Sequence, residues 1–352
     1  MTHPYLLRRG SAYALHRPEP AGEAEAPVWG GRPGKPFMTG TLEEMETCVE
    51  KTGLPEAEKA ALGALLHRHR FPPQTMLVGR RRFSLHRPVL MGIVNVTPDS
   101  FSDGGRYLDP EKAVAFALRL VEEGADIIDV GGESTRPGAD PVTVREELRR
   151  VIPVIQGIRS AGPVAISIDT TKAETADAAL AAGAEMVNDV SGLHGDPELA
   201  HIVARHGASI VLMHMRGTPR TMQVNPVYSD LPGEILAYLR AALVRALEAG
   251  IEQERILVDP GIGFGKQSRD NFWILENLEF MKGLGCPILV GASRKSFLAT
   301  VVDCTPMDRL FGTLAAHARA WSGGARVFRV HDVAVHAGFF QAAEHLAHES
   351  VD

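Results

Sequence analysis

The sequence predicts an α/β protein built on a closed (β/α)8 barrel, a TIM barrel, with an N-terminal helical and irregular extension. Three observations point there. From Pro88 onward, eight short apolar runs alternate with eight helical patterns. The runs carry no polar face, as strands of a parallel sheet covered on both sides do not. Each run ends on a polar tip before the next helix begins, the pattern that places functional groups at the C-terminal rim of a barrel. A doubly wound open sheet would instead carry a nucleotide loop after its first strand. Asn95-Val96-Thr97-Pro98-Asp99 is neither Gly-x-Gly-x-x-Gly nor a Walker loop.

The strand-like runs are Leu90–Asn95, Asp126–Val130, Val164–Asp169, Glu185–Asn188, Ser209–Met213, Ile256–Asp259, Pro287–Val290 and Arg326–Val330. Helical patterns separate them at Pro110–Glu123, Val142–Ser160, Ala173–Ala182, Pro197–Arg205, Gly233–Ala249, Asp270–Lys282, Met307–Trp321 and Val333–His348. Several helices close on a glycine before the next strand, in Glu123-Gly124-Ala125, Ala182-Gly183-Ala184 and His206-Gly207-Ala208, where a left-handed turn is needed.

Residues 1–85 stand apart from the barrel of residues 86–352. Arg17–Pro36 is dense in Pro, Gly, Glu and Ala and reads as a linker or irregular wrap. Thr41-Leu42-Glu43-Glu44 is a capping box, so a helix is expected from Leu42 to Lys51. Pro55 opens a second helix reaching His69, giving a helical hairpin. His67 and His69 fall on different faces of it, which suits a solvated helix end rather than a metal site.

Composition excludes several classes. A hydrophobic content of 45% and a charged content of 23% over 352 residues are those of a globular chain with a large core. The net charge of −6 offers no general attraction for nucleic acid or an anionic membrane. No apolar run approaches the ~20 residues that span a bilayer. Three widely spaced cysteines (Cys48, Cys286, Cys304) fit neither a disulfide framework nor a zinc site, and suit a reducing cytoplasm.

The chemistry sits at the strand ends. Asp129, Asp169, Asn188 and Asp259 occupy equivalent positions at the tips of their strands. One such Asp is as readily a helix cap; four together form a ring of acceptors and an amide in an apolar mouth. That set suits a flat heterocycle rich in N–H donors, which a carboxylate meets with two parallel bonds. Arg329 and His331 lie two apart on the last strand and project to one side. Ser293-Arg294-Lys295-Ser296, after the seventh strand, adds donors where barrels often hold phosphate. Rim salt bridges are the alternative use of these cations. Gly131–Gly138 and Asn95–Gly105 are glycine-hinged polar loops suited to a lid. Gly261-Ile262-Gly263-Phe264-Gly265-Lys266 lets backbone approach a ligand, with Phe264 as an apolar wall. Met213-His214-Met215, a lone His and two Met at a strand end, reads more readily as core filling than as ligands.

Taken together, Asn95–Gly105, Gly132-Glu133-Ser134-Thr135-Arg136-Pro137-Gly138, Asp259-Pro260-Gly261-Ile262-Gly263-Phe264 and Arg329-Val330-His331-Asp332 resemble the signatures of the dihydropteroate synthase family. The resemblance spans Pro88 to His348 and leaves the extension outside it. It implies condensation of 6-hydroxymethyl-dihydropterin pyrophosphate with p-aminobenzoate, assisted by Mg²⁺, in a cytoplasmic homodimer with small-molecule partners alone. It further implies that Asp169, Asn188, Asp259 and Lys295 hold the pterin, with Met213 and Phe264 lining its slot and Asp129 among the pterin-facing acids. Asn95 would place Mg²⁺ and the pyrophosphate, and Arg329 and His331 would bind the diphosphate oxygens. Phe101, Thr135, Arg136, Pro137 and Ser296 would border the p-aminobenzoate pocket, with Asp103 entering on the first loop. A methyltetrahydrofolate:corrinoid methyltransferase would share the pterin-facing Asp and Asn but would not need Arg329 and His331. A non-catalytic pterin-binding protein would not need Asn95, Lys295, Arg329 and His331 together.

Overall fold

The computed structural model describes residues 4–9, 12–16, 38–97, 109–135, 138–300 and 309–348. Its leading part contains a three-stranded antiparallel sheet, β1 (Tyr5–Arg9), β2 (Ala12–His16) and β3 (Met38–Gly40). Two helices follow, α1 (Leu42–Lys51) and α2 (Glu56–Arg70), and then a hairpin, β4 (Thr75–Val78) and β5 (Arg81–Ser84). The barrel strands are β6 (Val89–Asn95), β7 (Ile127–Gly131), β8 (Ala165–Asp169), β9 (Met186–Asp189), β10 (Ser209–Met213), β11 (Ile256–Asp259), β12 (Ile288–Val290) and β13 (Ala325–Val330). Between and after them run α3 (Pro110–Glu122), α4 (Val144–Ala161), α5 (Ala173–Ala181), α6 (Leu199–Arg205), α7 (Leu231–Glu248), α8 (Ser268–Glu276), α9 (Leu310–Ser322) and α10 (Val333–His348).

The eight strands are parallel and close into a cylinder when β13 pairs with β6, Val327 facing Val89 and Arg329 facing Met91. The register sets Asn95 opposite Gly131, Gly131 opposite Asp169, and Asp169 opposite Asn188. Three predicted polar tips therefore share one rim because sheet pairing leaves them no other place. The glycine hinges also take the expected form, Gly124, Gly183 and Gly207 having φ of 106°, 118° and 59°.

Most element boundaries move from the predicted ones by a residue or two. The helix expected over Asp270–Lys282 is instead α8 followed by a 3-10 turn at Leu278–Leu284. Asn277 breaks it: its side chain donates back to the Trp273 carbonyl at 2.9 Å and its backbone leaves the helical region.

Two features of the leading part were not expected. The hairpin β4–β5 turns at Gly79, whose φ of 58° suits a two-residue connection. Its Met76 and Val78, with Leu85, pack on Val89, Met91, Ile127, Ala165, Met186, Val211, Leu257, Leu289 and Val327. The hairpin thus floors the barrel at the ends where its strands begin. The sheet β1–β3 and helices α1 and α2 enclose a small core of Leu6, Leu15, Met45, Val49, Leu62, Leu65 and Leu66. Tyr5 and Leu7, on the opposite strand face, join the main core. His69 corrects a second expectation: it is 5% exposed, not solvated, with neither ring nitrogen partnered among the described residues. Burial and the nearby Lys282 pull it down to about 3.

Candidate active site

At the C-terminal mouth, side chains from four strands meet. Asp129 (β7) is fully buried, and its Oδ2 accepts from Asn188 Nδ2 (β9) at 3.1 Å. The same oxygen accepts from Arg329 Nε (β13) at 2.6 Å. A terminal nitrogen of Arg329 reaches Asp169 Oδ2 (β8) at 2.7 Å. The other Asp129 oxygen has no partner among the described residues, a buried acceptor left for something else to satisfy. Asn95 stands beside them: a Cβ built on Gly131 would lie 3.8 Å from Asn95 Oδ1 and 3.7 Å from Asp169 Oδ2.

On the opposite side, Asp259 ends β11 and its Oδ1 accepts from the Gly261 N–H at 2.6 Å. Lys295 donates to the Ile262 carbonyl, and its ammonium stands 4.4 Å from the centre of the Phe264 ring. Phe264 packs with Val190, Met213, Met215 and Met222, so Met213 and Phe264 belong to one apolar wall. Lys295 reaches that wall because Arg294 takes a left-handed φ of 57°. That turn is held by Arg294 pairing with Asp332 and by its N–H donating to Thr313 Oγ1 at 3.1 Å. Ser293, one residue earlier, faces His331, whose Nδ1 is 3.0 Å from Ser293 Oγ. Ser296 is exposed at the start of the following 3-10 turn, and Thr135 is half-buried in the loop after β7.

Three carboxylates and two cations share this mouth. Burial pushes Asp169 up to about 7, against the pull of Arg329 and with the help of Asp129. Burial raises Asp259 as well, opposed by Lys295. Lys295 is drawn down to about 8, again by burial, with Asp259 resisting. For Arg329 burial works against the charge, but Asp129 and Asp169 outweigh it and hold the guanidinium fully charged. The arrangement is poised to exchange partners. A ligand with N–H donors can take the carboxylates, and an anion can take the cations released from them.

All of Asn95, Asp129, Asp169, Asn188, Met213, Asp259, Phe264, Lys295, Arg329 and His331 are placed at this mouth. Phe101, Asp103, Arg136 and Pro137 lie outside the described residues. Arg329 has structural partners in Asp129 and Asp169, which strand periodicity alone did not reveal. The expectations also missed Lys172, which bridges Glu133 on the loop after β7 to the buried Glu147 of α4. It lies three residues past Asp169, and that adjacency was its one visible signal.

Comparison with known proteins agrees with this geometry. Residues 91–331 match the family model described as pterin binding enzyme. A dihydropteroate synthase of Synechocystis is 48% identical over 278 residues, covering 78% of this chain and 96% of that protein. That of Bacillus subtilis is 45% identical over 247 residues, covering 70% and 84%. Among solved structures, Xanthomonas albilineans dihydropteroate synthase with 4-aminobenzoic acid superposes with a TM-score of 0.73 at 45% identity, over 78% of this chain and 98% of that one. The same organism's enzyme in complex with 7,8-dihydropteroate gives 0.69 at 41% identity, with the same coverage. On a shared barrel and identities above 40% along most of its length, the chain belongs to the pterin-binding enzyme family, among the dihydropteroate synthases.

Proposed function

We propose that this chain condenses 6-hydroxymethyl-7,8-dihydropterin pyrophosphate with p-aminobenzoate to give 7,8-dihydropteroate and pyrophosphate. The observation that carries the reading is the mouth itself: Asp129, Asp169, Asn188 and Asp259 gathered as acceptors and an amide suited to a flat donor-rich ring, beside the cations Arg329 and Lys295 and His331, suited to an anion. The pterin's amino and ring N–H groups pair with the carboxylates, while Lys295 and the Asn188 amide meet its acceptors. As the carboxylates are engaged, Arg329 turns its fork to the diphosphate.

The reaction breaks the bond between the pterin methylene carbon and the diphosphate oxygen. The electron pair leaves with pyrophosphate, so negative charge grows where Arg329 and the His331 N–H side stand, and they bind the transition state more tightly than the ground state. The buried carboxylates stabilise the positive charge left on the pterin. The arylamine nitrogen then forms the new C–N bond and releases its proton. An aromatic amine is nucleophilic when neutral, so a strong general base is not needed. Magnesium suits this mouth: Asn95 Oδ1 stands at the rim, and such an ion takes most of its ligands from water and substrate phosphates. Its contribution when bound would be to neutralise diphosphate charge. Phe101, Thr135, Arg136, Pro137 and Ser296 are proposed to border the arylamine, and Asp103 to serve catalysis from the first loop.

No helix among the described residues is long and apolar enough to cross a membrane. A cytoplasmic location is proposed on the three widely spaced cysteines of the sequence. A homodimer is proposed on the outer face of α9 and α10, where Phe311, Val335 and Leu346 are 81%, 41% and 68% exposed. Trp321 of α9 and Phe340 of α10 meet edge-on with their ring centres 5.6 Å apart. Turnover of the purified chain with both substrates and Mg²⁺, followed by pyrophosphate release and dihydropteroate formation, tests the activity. Absence of product from folded protein would remove it.

A further inference from the structure

One buried lysine at the mouth has no place in that chemistry. Lys266 ends the turn Gly261-Ile262-Gly263-Phe264-Gly265 after β11 and is 2% exposed. Its ammonium lies 2.8 Å from His214 Nδ1, 2.9 Å from the Phe264 carbonyl and 3.0 Å from the Gly261 carbonyl, with the His214 carbonyl farther off at 3.4 Å. An ammonium has three N–H donors and no acceptor. Three near acceptors use all three, and none is left for a substrate.

The acceptors identify what is being held. Gly261 donates its N–H to Asp259 Oδ1, and Phe264 presents its ring to Lys295. His214 itself is fixed, since its N–H donates to the Asp259 carbonyl at 3.0 Å and extends the β10–β11 pairing past the strand ends. Its ring meets Tyr238 edge-on at 4.9 Å. To accept from the ammonium, its Nδ1 must be bare and the proton must sit on Nε2. The turn is tight: Gly261 has φ of 68°, and a Cβ there would fall 1.9 Å from the His214 carbonyl oxygen. Without a cation between them, the carbonyls of Gly261 and Phe264 and the imidazole lone pair would converge on one buried point with nothing to satisfy them.

The geometry points to Lys266 and His214 as a positioning pair that fixes the turn after β11, and through it the Asp259 carboxylate and the Phe264 ring, in the shape a flat pterin enters. This inference rests on the pterin reading of the site. Lys266 acts through Asp259 and Phe264, not on the reacting atoms, so its loss strikes recognition of the pterin substrate rather than the chemical step or the arylamine.

The test is the K266M variant, which keeps an unbranched buried stem and removes the charge, beside H214A, which leaves the lysine with its carbonyl partners. Steady-state kinetics are measured with each substrate varied while the other is saturating, alongside far-ultraviolet circular dichroism. The expected result is a rise in KM for the pterin pyrophosphate on the order of tenfold or more in K266M and a smaller rise in H214A. The p-aminobenzoate KM and kcat stay within about twofold, as uniform binding of one substrate requires. A folded variant of either kind with an unchanged pterin KM overturns the inference. So does an equal loss for both substrates, which would mark a general structural role. Should K266M fail to fold, H214A decides between the same outcomes, and failure of both to fold also overturns it, since the pair would then be holding the barrel rather than the pterin turn. Wild-type protein that does not turn over pterin pyrophosphate would refute the proposed function instead, which keeps the two failures distinct.

Discussion

Replacing Arg329 with alanine tests the charge arrangement of the mouth most directly. Its guanidinium bridges Asp129 and Asp169, which are 0% and 7% exposed. Removing one partner of a buried ion pair costs about 3–5 kcal/mol, chiefly because the other charge is left unpaired. The cost must depend on pH. Asp169 is pushed up to about 7 in the folded state, above its ordinary 3.8, so folding takes up a proton between those values. Stability contributed by the protonated acid is therefore present at low pH and is lost as pH rises toward 7. In Arg329→Ala the acid rises further, and by pH 5 it is protonated and no longer needs the cation. The variant should lose about 3–5 kcal/mol at pH 8, a Tm drop on the order of 5–10 °C, and distinctly less at pH 5. Its kcat/KM should fall on the order of a hundredfold, with the diphosphate's cationic fork gone. Calorimetry at the two pH values and steady-state kinetics measure both. An equal Tm loss at pH 5 and pH 8, or unchanged kinetics, would refute the reasoning.

Asp259→Asn should weaken pterin binding by on the order of tenfold or more while the p-aminobenzoate KM at saturating pterin changes little, because one acceptor of the bidentate pair becomes a donor; equal losses for both would contradict this. Gly261→Ala should abolish pterin binding in protein that still folds, since the added Cβ would overlap the His214 carbonyl 1.9 Å away, and retained affinity in titration calorimetry would count against it. His69→Leu should stabilise the protein by about 1 kcal/mol or more at pH 7 by removing two unpartnered buried nitrogens. Because His69 is held near 3 rather than 6.5, its stabilising neutral form is lost as pH falls from 6.5 toward 3, and the leucine variant should lack that slope in acid titration. A slope unchanged by the substitution would assign it elsewhere.

The barrel was legible because its strands are short, apolar on both faces and closed by glycine hinges, signals that survive without any tertiary information. The rim was legible for a related reason: a polar residue at the end of a buried run has one exit, the mouth. What could not be read was pairing across strands. Arg329 lies 200 residues from Asp129 and 160 from Asp169 in the chain, so its partners emerge only once the cylinder closes. Lys266 was hidden differently. Its neighbours are backbone carbonyls and a histidine, and no spacing rule encodes a carbonyl cage. The sheet β1–β3 was missed because Tyr5–Arg9 and Ala12–His16 are too short to show a period, and β4–β5 because two four-residue strands flank one glycine.

Tyr5 carries a consequence for the chain's beginning. Its hydroxyl donates to Asp230 Oδ1 at 3.2 Å, and the same carboxylate caps α7 by accepting from the Gly233 N–H. Arg68 meanwhile donates to the Gly283 carbonyl, and Arg8 pairs with Glu279 on that same 3-10 segment. Cutting the protein just before its first barrel strand would strip a helix start of a ligand, bare an oily flank and unstop the cylinder's base. A shortened version should be sticky and prone to clump even though every residue of the proposed site would still be present.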